Sequence, residues 1–85
     1  MTHLPMLLAA LLLAAPLEAQ PVPEHIAAAV ASPERSAKDR ERDARDKPAE
    51  LLAFAGLQPG MKVADVFGGG GYWSEIMVRA VGPSG

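Results

Sequence analysis

Residues 61–80 read MKVADVFGGGGYWSEIMVRA. Val63, Val66 and Phe67 favour a strand, and the short apolar run 63–67 is interrupted only by Asp65. A nearly continuous apolar strand suits a parallel sheet buried on both faces. Four glycines follow at once, Gly68 to Gly71. Residues 72–80 then read as an amphipathic helix, with Trp73, Ile76, Met77 and Ala80 on the side expected to face a core and Glu75 expected in solvent. The expected order is strand, glycine loop, helix. Glycines let the backbone turn sharply and let a ligand approach the main chain. The amino end of the following helix presents free N–H groups to an anionic group.

Upstream, Pro59-Gly60 forms a type II turn pair, Pro setting φ and Gly taking φ > 0. Residues 47–50 (KPAE) open a helix whose apolar face is Leu51, Leu52, Phe54 and Ala55, and Gly56 caps it. Residues 34–47 (ERSAKDRERDARDK) are almost wholly polar, with alternating signs and one more base than acid. Opposite charges recur three and four apart, as Asp39 with Arg42 and Glu41 with Arg45, at about 0.2–0.5 kcal/mol each on a helix. Two readings stand for this leader: a solvated helix or disordered run, and a segment covering the mouth of a binding site. Ser32-Pro33-Glu34 reads as its helix start, with Ser as cap and Pro at the first helical position. Residues 24–31 (EHIAAAVA) form a further helix candidate behind a short extended linker, residues 20–23 (QPVP).

Residues 6–15 (MLLAALLLAA) carry no charge but are half the length a membrane-spanning helix needs. With Pro16 and Glu18 behind them they fit the apolar core of a secretory signal peptide ending near Ala19. A periplasmic or secreted location follows, with no stable membrane span after signal removal. The chain has 85 residues and no Cys, which excludes a disulfide framework, a zinc-thiolate site and a thiol nucleophile. Two histidines, His3 and His25, make no metal site. The formal net charge of −2 argues against nucleic acid as a partner. The organisation expected is a signal peptide at 1–19, a linker and charged helical leader at 20–47, and the opening of an α/β, doubly wound domain at 48–85.

Three ligand classes use a strand, glycine loop and helix in this order. A P-loop needs Lys-Ser/Thr after the glycines, and Tyr72-Trp73 stands there instead. A dinucleotide loop needs G-x-G-x-x-G; Gly69 and Gly71 supply the first two, and Ser74 occupies the third place. The third class has an acidic residue in the strand, two glycines in the loop and an aromatic entering the helix. Asp65, Gly69, Gly71 and Tyr72 meet that pattern.

On these residues the chain resembles the class I S-adenosylmethionine-dependent methyltransferases. Their first motif runs hydrophobic residues, Asp or Glu, x-G-x-G-x-G and an aromatic; Phe67 stands where the first glycine is usual. Residues 47–85 are similar in particular to an exported bacterial branch with a leader of the form R-x-x-x-D-R-x-R-D, here Arg35, Asp39, Arg40, Arg42 and Asp43. The resemblance implies a Rossmann-like methyltransferase domain, of which this chain would be the N-terminal fragment, inactive alone. It implies S-adenosylmethionine as cofactor, with Gly69 and Gly71 along its amino-acid part, Asp65 beneath the loop and Tyr72 as the aromatic. The acidic residue that grips the ribose would lie at the end of a second strand, beyond Gly85. The motif specifies neither the methyl acceptor nor a catalytic side chain. A non-catalytic exported binding or interaction module that kept the loop is the alternative.

Overall fold

The computed structural model of the chain describes residues 21–66 and 68–85. Segment 1–19, read as a signal peptide, and Phe67 lie outside the described residues. Helix α1 spans Glu24–Ala31 and is opened by Pro23, whose carbonyl accepts from the N–H groups of Ile26 (3.1 Å) and Ala27 (3.0 Å). It ends before Ser32-Pro33, because the residue ahead of a proline is driven out of the helical region. Residues 32–35 form a turn in which the Arg35 N–H donates to the Ser32 carbonyl at 3.2 Å. The helix start expected at Ser32 is therefore displaced. Helix α2, Ala37–Asp46, is capped by Ser36, whose Oγ accepts from the Asp39 N–H at 3.1 Å.

Helix α2 stops at Lys47, which takes φ 49°, and its N–H donates to the Asp43 carbonyl at 2.8 Å. Pro48 cannot continue α2, having no N–H, and begins helix α3, Pro48–Ala55. Gly56 closes α3 at φ 78°, as expected for a left-handed cap. Of the apolar face read from the sequence only Leu52 is buried, whereas Leu51 and Phe54 are 51% and 63% exposed. The turn at Pro59-Gly60 is present: Gly60 has φ 82° and the Met61 N–H donates to the Gln58 carbonyl. Helix α4, Tyr72–Val81, buries Tyr72, Ile76, Ala80 and Val81, with Trp73 and Met77 partly covered.

Helix α1 packs against α4 and α3. Ile26 and Ile76 lose all exposure at this junction, each contributing about 1.5–3 kcal/mol by burial. Ala29, Leu52 and Leu57 complete the core. His25 ties α1 to the segment after α3: its Nε2 lies 2.6 Å from the Leu57 carbonyl oxygen. A carbonyl only accepts, so the imidazole carries its proton on that nitrogen.

The expected α/β class is overturned. The described residues contain four helices and no strand. Residues 61–65 are irregular, Val66 lies in a turn, and every described residue from 61 to 66 is exposed. A strand exists through its ladder of hydrogen bonds to a neighbour, and helices offer no edge to pair with. Met61, Val63 and Val66 therefore stay 43%, 45% and 74% exposed where a doubly wound sheet would bury them. The segment is tethered at its start instead: the Gly60 N–H donates to the Val81 carbonyl at 2.7 Å, and Lys62 Nζ donates to the Ser84 carbonyl at 2.9 Å. Among the described residues no helix is long and apolar enough to cross a membrane.

Candidate functional site

The glycine turn lies at the amino end of α4. The Gly71 N–H donates to the Gly68 carbonyl at 3.1 Å, closing residues 68–71 into a turn. Gly69 and Gly71 take φ 57° and 87°, a region that β-carbons disfavour. The Glu75 N–H donates to the Gly71 carbonyl, the first bond of the helix, and no side chain caps its N-terminus. The N–H groups of the first turn consequently have no partner within the helix.

Asp65 folds back onto this turn. Its Oδ2 accepts from Ser74 Oγ at 2.5 Å. A β-carbon on Gly68 would stand 3.1 Å from that oxygen and 3.3 Å from Ser74 Oγ, so the absence of one lets carboxylate, hydroxyl and backbone converge. Beside them opens a cavity of about 320 Å3, lined by Asp65 and Ser74 at its polar end and by Met61, Val63, Met77 and Val78. That volume is at the lower bound of small-molecule pockets, and a mostly apolar lining with a few convergent polar groups is their usual composition.

Tyr72 points to the opposite side of the turn, towards the charged leader. Its phenol donates to Asp43 Oδ1 at 2.5 Å, and the ring is 4% exposed. Asp43 is held in turn by Arg35, whose Nη1 and Nη2 donate to its two oxygens at 2.8 and 2.9 Å. Arg35 Nη1 also donates to the Val30 carbonyl at 2.7 Å, closing the end of α1. The Arg42 guanidinium covers the Tyr72 ring, 4.0 Å from its centroid, and Trp73 meets that ring edge-on at 5.3 Å. Burial, reinforced by the Asp43 carboxylate, pushes the Tyr72 phenol up to about 12. The Arg35 guanidinium holds the Asp43 carboxyl below the usual carboxylate range.

A second cavity, of about 470 Å3, lies between α2 and the turn, lined by Lys38, Asp39, Arg42, Arg45, Gly70 and Tyr72. Asp46 accepts from the Nε of Arg42 at 2.7 Å and of Arg45 at 2.8 Å. Those two cations, Arg45 foremost, lower its carboxyl to about 2.

The four residues singled out from the sequence thus divide. Asp65 stands by the turn with Ser74, Gly69 and Gly71 bend the backbone ahead of α4, and the Tyr72 side chain belongs to the leader. Ser74 appears in the sequence only as the missing third glycine; its spacing from Asp65 gives no sign of a hydroxyl–carboxylate contact. The pairing of Arg35 with Asp43 is eight residues apart and follows no helical rule, although both belong to the leader pattern R-x-x-x-D-R-x-R-D. The helical pairs expected at 39/42 and 41/45 give way to Arg42 and Arg45 on Asp46. No family model, curated protein or solved structure matches the chain.

Proposed function

We propose that the glycine turn is part of an S-adenosylmethionine site, and that the protein transfers methyl groups outside the cytoplasm. One observation carries the reading: Asp65, fixed by Ser74, stands against a glycine turn whose left-handed Gly69 and Gly71 keep the main chain open at the amino end of α4. The residues beside the turn support this reading: the Asp65 carboxylate suits the cofactor's cationic groups, and the Met77 and Val78 side chains offer an apolar wall for its nucleoside. The free N–H groups at the amino end of α4, next to that cavity, suit its carboxylate. When bound, the cofactor supplies an electrophilic methyl on sulfonium; a nucleophile's electron pair forms the new bond as the carbon–sulfur pair stays on sulfur. The chain's own residues need only bind, orient and exclude water for such a displacement. The site is carried here on helices, so the reading rests on the turn and not on a sheet.

The test is titration of S-adenosylhomocysteine into the protein. Asp65→Ala combined with Gly69→Val removes the carboxylate and places a branched β-carbon in a left-handed position. Affinity should drop by more than about tenfold, the loss of one charge-assisted contact, while helical content is retained. Unchanged affinity in a folded variant refutes the reading. A non-catalytic module is the second reading, favoured by the exposure of Leu51, Phe54, Met61, Val63, Val66 and Val78. Binding of S-adenosylhomocysteine without methyl transfer to any acceptor would select it.

A further inference from the structure

We infer that the cavity between α2 and the glycine turn is a second binding site, for a phosphate or carboxylate group on a small soluble molecule. Lys38, Arg42 and Arg45 are spaced at i, i+4 and i+7, so they line one face of α2, and all three line the 470 Å3 cavity. Their charges are opposed there by Asp39 and by Asp46, so the site keeps a positive excess. The two arginines are pre-set. Asp46 takes the Nε of each, at 2.7 and 2.8 Å, leaving the paired terminal nitrogens of both guanidiniums for another acceptor. Arg42 is held further over the face of Tyr72, whose phenol is itself held by Asp43. Arg42, held on two sides, loses less freedom on binding than a free side chain, and both guanidiniums present the fork that matches planar carboxylates and phosphates. The fourth wall is Gly70. A β-carbon there would meet nothing within 4 Å.

The start of α4 thus contributes to two cavities of different character: Ser74 to one with the Asp65 carboxylate and an apolar wall, and Tyr72 to one with three cations and Asp39. The anion site stands on Lys38, Arg42 and Arg45, and it does not require the cofactor reading.

The experiment is a chemical-shift titration of the full chain with inorganic phosphate and with malonate at low salt. Saturable shifts are expected at the Gly70 and Tyr72 amides. Lys38→Gln, an exposed position, should weaken binding about fivefold, and Lys38→Gln with Arg42→Gln more than about tenfold. Arg40→Gln, on the same helix but outside the cavity, should change nothing. Shifts that track chloride equally, affinity indifferent to Lys38→Gln and to its combination with Arg42→Gln, or binding only to phosphatidylglycerol vesicles would each overturn the site. S-adenosylhomocysteine is titrated separately against the Asp65 and Ser74 resonances, so failure of either site is read without the other.

Discussion

Asp43→Ala strands a buried cation. The Arg35 side chain has no exposure, its charge is met by Asp43 at 2.8 and 2.9 Å, and Asp43 itself keeps 21% of its surface. Breaking a wholly buried pair by removing one partner costs about 3–5 kcal/mol, and the partial exposure of Asp43 brings this to about 2–4 kcal/mol. A unit of this size holds roughly 3–10 kcal/mol in total, so the substitution takes a large share of it. Replacing both partners, Arg35→Met with Asp43→Leu, leaves no uncompensated charge. What remains is the lost contact to the Val30 carbonyl and the Tyr72 phenol, about 1 kcal/mol each. The double variant should then melt above the single one. Urea unfolding followed by circular dichroism at constant pH reads both. The same pair sets the acid limit. Arg35 depresses the Asp43 carboxyl, so its contribution is complete above the ordinary carboxylate value and fades as pH falls below it. A single variant within about 0.5 kcal/mol of the parent chain, or a double variant less stable than the single one, refutes this account of the leader.

The chain has one tyrosine, so its ionisation can be followed directly by ultraviolet absorbance. Tyr72 should titrate near 12, and Asp43→Asn should bring it back towards 10, because the carboxylate that opposes the phenolate is gone. Since the folded phenol ionises later than the unfolded one, stability is full below about 10 and is lost as pH rises towards 12; a flat alkaline limb contradicts the burial of this ring. Ser36→Ala removes the cap of α2 and should cost about 1 kcal/mol, whereas Ser32→Ala, at a turn that caps no following helix, should cost less; equal losses in urea midpoint contradict the helix start at Ala37.

Much of the helical part can be read from the residues alone. Alanines behind Pro23, Pro48 at a first helical position, Gly56 at a left-handed cap and the Pro59-Gly60 turn act through their own backbone preferences, and each is found where expected. What depends on a distant partner is not legible. Residues 61–66 have strand-forming side chains, yet a strand needs a neighbour, and none of the helices supplies one. Leu51 and Phe54 have the spacing of a buried face, but α1 covers only the Leu52 side of α3. Arg35 stands in a run of charges that reads either as a solvated or disordered leader or as a cover for a binding site, and it is buried because a turn at residues 32–35 carries it inward to an acid two helical turns further on. At the site, Asp65 and the glycines announce a sharp bend by composition. The contact from Ser74 and the capture of Tyr72 by the leader depend on how the bend is placed in space.

The link from Arg35 through Asp43 to Tyr72 means that the glycine bend is not a portable cassette. Lifted out as residues 61–82 and grafted elsewhere, it would arrive with an aromatic ring and a phenol stripped of the groups that cover them. Any transplant of this loop has to bring the leader with it, or replace Tyr72 by a residue content to face water.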